Sequence, residues 1–323
     1  MMRDVLVTEN IVGSEMESLK GRFDVAFEPE LWRTQDRLQE MVADFRALVV
    51  RNQTRVTSGL IGSAPHLQVI GRAGAGLDNI DLDAATSAGI VVAYTPEQNA
   101  LSVAELTIGM MLALARKIVP ADRTTKAGEW KRRESTGIEL YGKTLGLVGL
   151  GRIGYRVGGR AKAFGMDIVA YDLYANPDAI AVSESFARMM DLDELLGLAD
   201  FVSCHVPLTA ETVGLFDYER FCRMKSTAYF INTSRGEVVD EEALAQALKE
   251  KRIAGAGLDV RQKEPPDKGP LSEMDNVLLT PHIGAFTKEG QERVVSSVCR
   301  DVAAILGGGE AKNYFNISKP KRV

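Results

Sequence analysis

A run of small and apolar residues, Thr144-Leu145-Gly146-Leu147-Val148, passes directly into Gly149-Leu150-Gly151-Arg152-Ile153-Gly154 and then into a helical stretch toward Phe164. Strand, glycine-rich turn and helix in that order leave few folds open. Gly149 permits a tight turn, Gly151 lets an anionic group approach the backbone, and Gly154 lets helix and sheet pack closely. The unpaired N–H groups at the helix start lie at the positive end of its dipole and suit a pyrophosphate, so the motif points to a dinucleotide. The next β-like run ends in Asp172, about 20 residues beyond Gly151, where a carboxylate can accept both hydroxyls of a ribose. A 2′-phosphate there would meet like charge, and Leu173, Tyr174 and Ala175 offer no arginine to neutralise it. NAD rather than NADP is the expected cofactor.

The glycine turn belongs to a longer rhythm. From residue 144 the pattern predicts strands at 144–148, 168–171, 201–206, 228–231, 256–258 and 277–279, separated by helical stretches, which makes a doubly wound parallel sheet the leading architecture. The first hundred residues alternate in the same way, with strands at 5–7, 47–50, 69–71 and 91–93 and a helical stretch at 31–45. Between the two series lies a helix predicted over 102–116, with Ser102 as N-cap and Glu105 as its capping-box partner. A final helix over 287–306 is expected to carry the chain back to the first domain. At 323 residues, with roughly 150 residues to a domain, two domains are expected.

Composition removes other classes. The 39 Lys+Arg against 44 Asp+Glu leave a net charge of −5, so no basic field attracts a nucleic-acid backbone. Nowhere do about 18 apolar residues run without a charge, so no membrane span is expected. The first residues lack the apolar core of a secretory signal. Cys204, Cys222 and Cys299 are widely spaced, without metal-ligand spacing, and read as buried reduced thiols of a cytoplasmic protein. No metal site is expected, and the basic end at 318–323 reads as a solvated tail.

The candidate chemistry gathers at the carboxyl ends of the later strands, where open α/β sheets bind ligands. Arg235 lies just past one strand in Thr233-Ser234-Arg235-Gly236, Asp259 ends the next, and His282 lies just past the last in Thr280-Pro281-His282-Ile283-Gly284. Glu264 follows Asp259 on the intervening loop. Removing a hydride from an α-hydroxy acid also requires that its hydroxyl lose a proton, a task an imidazole performs well near neutral pH. His282 is the candidate acid/base. A neighbouring carboxylate fixes the tautomer of such an imidazole and stabilises its charged form, which suits Glu264. The substrate carboxylate needs a planar, two-pronged, permanently charged donor, which suits Arg235. His66 reads as a solvated loop residue, and His205 as a cofactor neighbour or core residue.

Taken together, Gly71-Arg72-Ala73-Gly74-Ala75-Gly76, Ser102-Val103-Ala104-Glu105, the glycine turn, Ser234-Arg235-Gly236, Asp259-Val260, Glu264-Pro265 and Pro281-His282-Ile283-Gly284-Ala285 resemble the D-isomer-specific 2-hydroxyacid dehydrogenase family in order and spacing. The resemblance implies a Rossmann-type NAD domain at 100–287 inserted into a smaller flavodoxin-like substrate domain at 1–99 and 288–323, with the active site in the cleft between them. It implies catalytic roles for His282, Glu264 and Arg235, a nicotinamide contact for Asp259, and a grip on the substrate carboxylate by backbone N–H groups of Gly74, Ala75 and Gly76. Candidate cofactor contacts extend to Arg152, Ile153, His205, Pro207, Thr233, Ser234 and Gly284. A homodimer built through the cofactor domains is also implied.

The resemblance implies D-3-phosphoglycerate, or its 2-keto partner, as the substrate, with Arg51 and Arg72 as candidate phosphate ligands. Glyoxylate or hydroxypyruvate is the alternative, and an NAD-sensing binding protein related to corepressors is the alternative of another class. Arg261 stands where the family usually has Phe, and Phe286 where similar members carry Ser, so a different pocket shape is expected. The regulatory extension of many members is not expected, nor the serine feedback that accompanies it.

Overall fold

The computed structural model describes residues 2–174 and 180–322, so the expectations for Ala175 and Val323 lie outside the described residues. Two compact units emerge, one of Met1–Asn99 with Phe286–Val323 and one of Ala100–Ala285.

In the smaller unit the chain runs β1 (Arg3–Val7), α1 (Ser14–Arg22), β2 (Val25–Phe27), α2 (Gln35–Val42), β3 (Phe45–Val50), α3 (Ser58–Gly62), β4 (Val69–Arg72), α4 (Leu82–Ser87) and β5 (Val91–Ala93). Its five parallel strands lie in the order β2-β1-β3-β4-β5. The sheet is buried on both faces, which is why these strands read as apolar runs rather than alternating ones. Leu38, Leu60 and Ile70 join one core, while Val49 and Val69 join the other with Val298 and Val302. The helix returning from the larger unit supplies that second layer. A Cβ on Gly71 would stand 2.7 Å from Val302 Cγ2, so glycine lets this helix lie close on β4.

In the larger unit the elements are α5 (Ala100–Ala115), α6 (Ile118–Lys126), β6 (Thr144–Val148), α7 (Gly154–Ala163), β7 (Asp167–Tyr171), α8 (Ile180–Ser185), β8 (Arg188–Met189), α9 (Leu192–Leu198), β9 (Phe201–Cys204), α10 (Tyr218–Arg223), β10 (Tyr229–Asn232), α11 (Glu241–Lys249), β11 (Gly255–Leu258) and β12 (Val277–Leu279). Its seven parallel strands lie in the order β12-β11-β10-β9-β6-β7-β8, and α12 (Lys288–Leu306) follows in the smaller unit. Thr287 caps α12 by accepting a hydrogen bond from the Gly290 N–H at 2.9 Å.

Four expectations need correction. The stretch 31–45 is not one helix: a 3-10 turn at Leu31–Arg33 precedes α2, and Phe45 already begins β3, its ring buried in the core. Ser102 is no cap. α5 starts two residues earlier and buries Ser102, while its exposed stripe falls on Leu101, Glu105 and Gly109, two of them uncharged, so the sequence shows no clean amphipathic start. The C-terminal end is docked rather than solvated, Lys321 N–H donating to the Gly89 carbonyl and Arg322 Nη1 to the Ala64 carbonyl, each at 2.9 Å. Cys204 and Cys299 are buried, but Cys222 is exposed, one position round α10 from the buried Phe221. Among the described residues no helix is long and apolar enough to cross a membrane.

Candidate active site

The larger sheet changes its direction of growth between β6 and β9, the point where doubly wound sheets bind ligands. Gly149 stands there with φ +97°, and a Cβ on it would lie 2.8 Å from the His205 carbonyl carbon. Only glycine fits. A Cβ on Gly154 would lie 2.2 Å from the Gly149 oxygen, so the start of α7 closes tightly on the turn. A Cβ on Gly151 meets nothing within 4 Å, which leaves that backbone open to an approaching anion. Asp172, half-buried after β7, accepts hydrogen bonds from Leu150 N–H at 2.7 Å and Tyr174 N–H at 2.8 Å. A carboxylate has about four acceptor sites, so capacity remains for ribose hydroxyls. These residues fit a dinucleotide.

His205 follows β9 directly beneath the turn, its N–H donating to the Val148 carbonyl at 2.7 Å. Its Nε2 lies 2.9 Å from Ser203 Oγ, while its shielded Nδ1 has no partner among the described residues. Burial pushes the imidazole down to about 3, so it stays neutral at working pH. That leaves His205 a neutral, shielded ring beside the glycine turn rather than an acid/base. Thr233 and Ser234 are buried with their hydroxyls at Thr107 Oγ1 (3.0 Å) and Asn232 Oδ1 (2.8 Å), and Pro207 is exposed with its carbonyl accepting from Thr212 Oγ1.

The three candidate catalytic residues converge through close backbone packing. Arg235 follows β10, where the buried Asn232 donates from Nδ2 to the Arg235 carbonyl at 2.8 Å. A Cβ on the next residue, Gly236, would lie 2.0 Å from the Arg261 carbonyl carbon, so the loops bearing Arg235 and Glu264 touch. Arg261 N–H donates to Glu264 Oε1 at 3.1 Å, and Glu264 Oε2 lies 2.7 Å from His282 Nδ1. Burial works to raise the Glu264 carboxyl, but the His282 hydrogen bond and charge, the Arg261 N–H and the Arg235 charge outweigh it and hold the group below its ordinary value. Glu264 is therefore an anion beside the ring. With Nδ1 held by a carboxylate, His282 Nε2 has no hydrogen-bond partner among the described residues.

Asp259 shapes the loop that carries the ring. It is 1% exposed, and its carboxylate accepts from Thr280 Oγ1 at 2.6 Å, Ile283 N–H at 2.8 Å and Gly284 N–H at 2.8 Å. Its own carbonyl accepts from His282 N–H at 2.8 Å. His282 adopts φ +55°, a left-handed conformation uncommon outside glycine, and these bonds fix it there. A further strut is Arg261, whose guanidinium makes a bidentate pair with Glu241 at 2.9 and 2.6 Å. The arginine in place of an aromatic ring is thus bound to α11. Among the described residues no group of three or more His, Cys, Asp or Glu side chains stands close enough to hold a metal.

The model of the D-isomer specific 2-hydroxyacid dehydrogenase NAD binding domain matches residues 108–284, more than half of the chain. The chain belongs to this family. It is 48% identical over 284 residues to the D-3-phosphoglycerate dehydrogenase of Methanocaldococcus jannaschii, an alignment covering 88% of this chain and 54% of that one. The chain spans about half the length of the curated relatives it matches. The TT0316 protein of Thermus thermophilus superposes with a TM-score of 0.90 at 36% identity, over 96% of this chain and 99% of its own. A glyoxylate reductase from Paecilomyes thermophila gives 0.88 at 31%, over 97% and 98%. As in the family, the larger unit is an NAD-binding domain.

Within the smaller unit, the loop expected of this family after β4 is only partly available. Gly74 N–H already donates to the Arg72 carbonyl at 2.9 Å, whereas the N–H groups of Ala75 and Gly76 have no partner among the described residues. Arg72 is 9% exposed and donates from Nη1 to the Ala73 carbonyl at 3.2 Å. A Cβ on Gly74 would overlap that guanidinium, so Arg72 supports its own loop. Arg51 differs: no acceptor among the described residues takes a hydrogen bond from its guanidinium, which lies over the Phe286 ring at 4.4 Å. Sequence reasoning missed Asp259 as a loop organiser and the Arg261–Glu241 and Arg51–Phe286 pairs, because each joins residues far apart in the chain.

Proposed function

We propose that this chain transfers a hydride between NAD and C2 of a D-2-hydroxy acid, with D-3-phosphoglycerate and its 2-keto partner as substrates. The single observation that carries the reading is the His282 Nδ1 to Glu264 Oε2 contact at 2.7 Å, with Nε2 taking no hydrogen-bond partner among the described residues. Bound NAD supplies the nicotinamide that accepts or gives the hydride. His282 Nε2 takes the proton of the C2 hydroxyl in oxidation and returns it in reduction. Glu264, already an anion, stabilises the imidazolium formed in between. Arg235 offers a forked donor to the substrate carboxylate and draws charge from the C2 oxygen. Ala75 and Gly76 add backbone donors to that carboxylate, and Arg51 pairs with the phosphate.

The phosphorylated substrate is supported by the names of the relatives and by the Arg51 guanidinium. Likeness to a glyoxylate reductase favours a small unphosphorylated 2-keto acid as the second reading. Steady-state reduction of a 2-keto acid panel with NADH and NADPH, by wild type and by Asp172→Ala, tests both cofactor and substrate. The expected result is fastest turnover of 3-phosphohydroxypyruvate with NADH, and a weaker preference against NADPH in the variant. Turnover of glyoxylate above all others would replace the substrate; tight NADH binding without turnover of any acid would favour the sensor reading.

The same reading makes the protein a cytoplasmic homodimer joined through its NAD-binding unit, where Ile118, Val119, Trp130 and Tyr141 are exposed apolar residues, Trp130 at 82%. Light scattering that returned the mass of a single chain would contradict the dimer.

A further inference from the structure

The smaller sheet has its own change of growth direction, between β1 and β3, and the residues just past those two strands are Glu9 and Arg51. Glu9 is 3% exposed, and its carboxylate accepts four hydrogen bonds: from Arg51 N–H at 2.7 Å, Gln53 N–H at 3.1 Å, Thr54 N–H at 3.0 Å and Thr54 Oγ1 at 2.8 Å. From the other side Asn79 Nδ2 donates to the Arg51 carbonyl at 2.9 Å and the Thr54 carbonyl at 2.7 Å. The backbone of residues 51–54 is pinned twice.

The side chain of Arg51 is held differently. Burial works against its charge and the Glu9 carboxylate supports it, with burial prevailing. No hydrogen bond from the guanidinium to any described residue offsets that, and the group lies over the face of Phe286 at 4.4 Å. A guanidinium stacked on a ring keeps its in-plane N–H edge open, and that edge matches the oxygens of a phosphate. Phe286 itself is 57% exposed and belongs to none of the core clusters, so core packing does not account for an aromatic ring at this position.

We propose that Phe286 is a positioning residue, its ring holding the Arg51 guanidinium so that the N–H edge faces the phosphate of the substrate; this rests on the phosphorylated-substrate reading above. Phe286 thereby determines selectivity between phosphorylated and unphosphorylated forms of one 2-keto acid.

The test measures kcat and KM for both forms with the full chain and NADH. Phe286→Ser is expected to lower the selectivity ratio about fivefold, with the loss in KM for the phosphorylated acid, and Phe286→Tyr, which keeps the ring, is expected to restore it. Because the ring is exposed, thermal melting of the serine variant checks that the fold is retained. A wild-type ratio in Phe286→Ser, or an equal KM rise for both acids, overturns the proposal. Arg51→Ala separates this from a failure of the parent reading. If selectivity collapses in Arg51→Ala but not in Phe286→Ser, the role of Phe286 alone is wrong; if it survives in Arg51→Ala, phosphate recognition at this seat is wrong and the proposal falls with it.

Discussion

Replacing His282 with alanine is expected to lower kcat by about 10³-fold while NADH titration gives nearly the wild-type Kd. On the proposed mechanism the proton of the C2 hydroxyl then has no nearby acceptor, whereas the glycine turn and Asp172 are untouched. The backbone of His282 is left-handed, at φ +55°, so alanine adds a conformational penalty of its own. His282→Asn separates the two effects, because asparagine tolerates that conformation but cannot act as a base near neutral pH. The two variants should lose kcat alike. If asparagine retains wild-type kcat, His282 positions a loop and does not move a proton.

The second large effect is expected at Asp259. Alanine there removes the acceptor for Thr280 Oγ1, Ile283 N–H and Gly284 N–H, in a place almost sealed from water. Each buried donor left unpaired costs about 1–3 kcal/mol. Allowing for water reaching the partly exposed Thr280 and Ile283, a loss of about 3 kcal/mol follows, or a fall in Tm of roughly 6–12 °C for a unit of this size. The loop that carries His282 loosens at the same time, and a displacement of about 1 Å in a catalytic group lowers kcat on the order of 10²-fold. Asp259→Asn should fall between, since its amide oxygen still accepts but its NH₂ faces a donor. Wild-type melting together with wild-type kcat in Asp259→Ala would remove Asp259 from the architecture of the site.

Two kinds of information in this chain behave differently. The glycine turn, the strand before it and Asp172 lie within one short segment, so their offsets reveal the geometry before any fold is known. The positions of Arg235, Glu264 and His282 near the ends of successive strands follow from a rule about parallel sheets and could be read in the same way. β2 and β8 were not expected: Arg188-Met189 is two residues with no apolar pattern, and Val25-Ala26-Phe27 is three residues of which only Ala26 is buried. Partnerships across long separations were also hidden. Nothing near Arg261 announces Glu241, nothing near Gly74 says that its N–H turns back to Arg72, and Glu9 looks like any charge at a strand end until four donors meet it. Those pairings decide which of the expected donors remain available to a ligand.

The most direct measurement follows the hydride itself. The protein is supplied with NADH dideuterated at nicotinamide C4 and with the preferred 2-keto acid, and the product is analysed by mass spectrometry and chiral chromatography. The account predicts a D-2-hydroxy acid with deuterium at C2. A product free of deuterium, or one of L configuration, would contradict it.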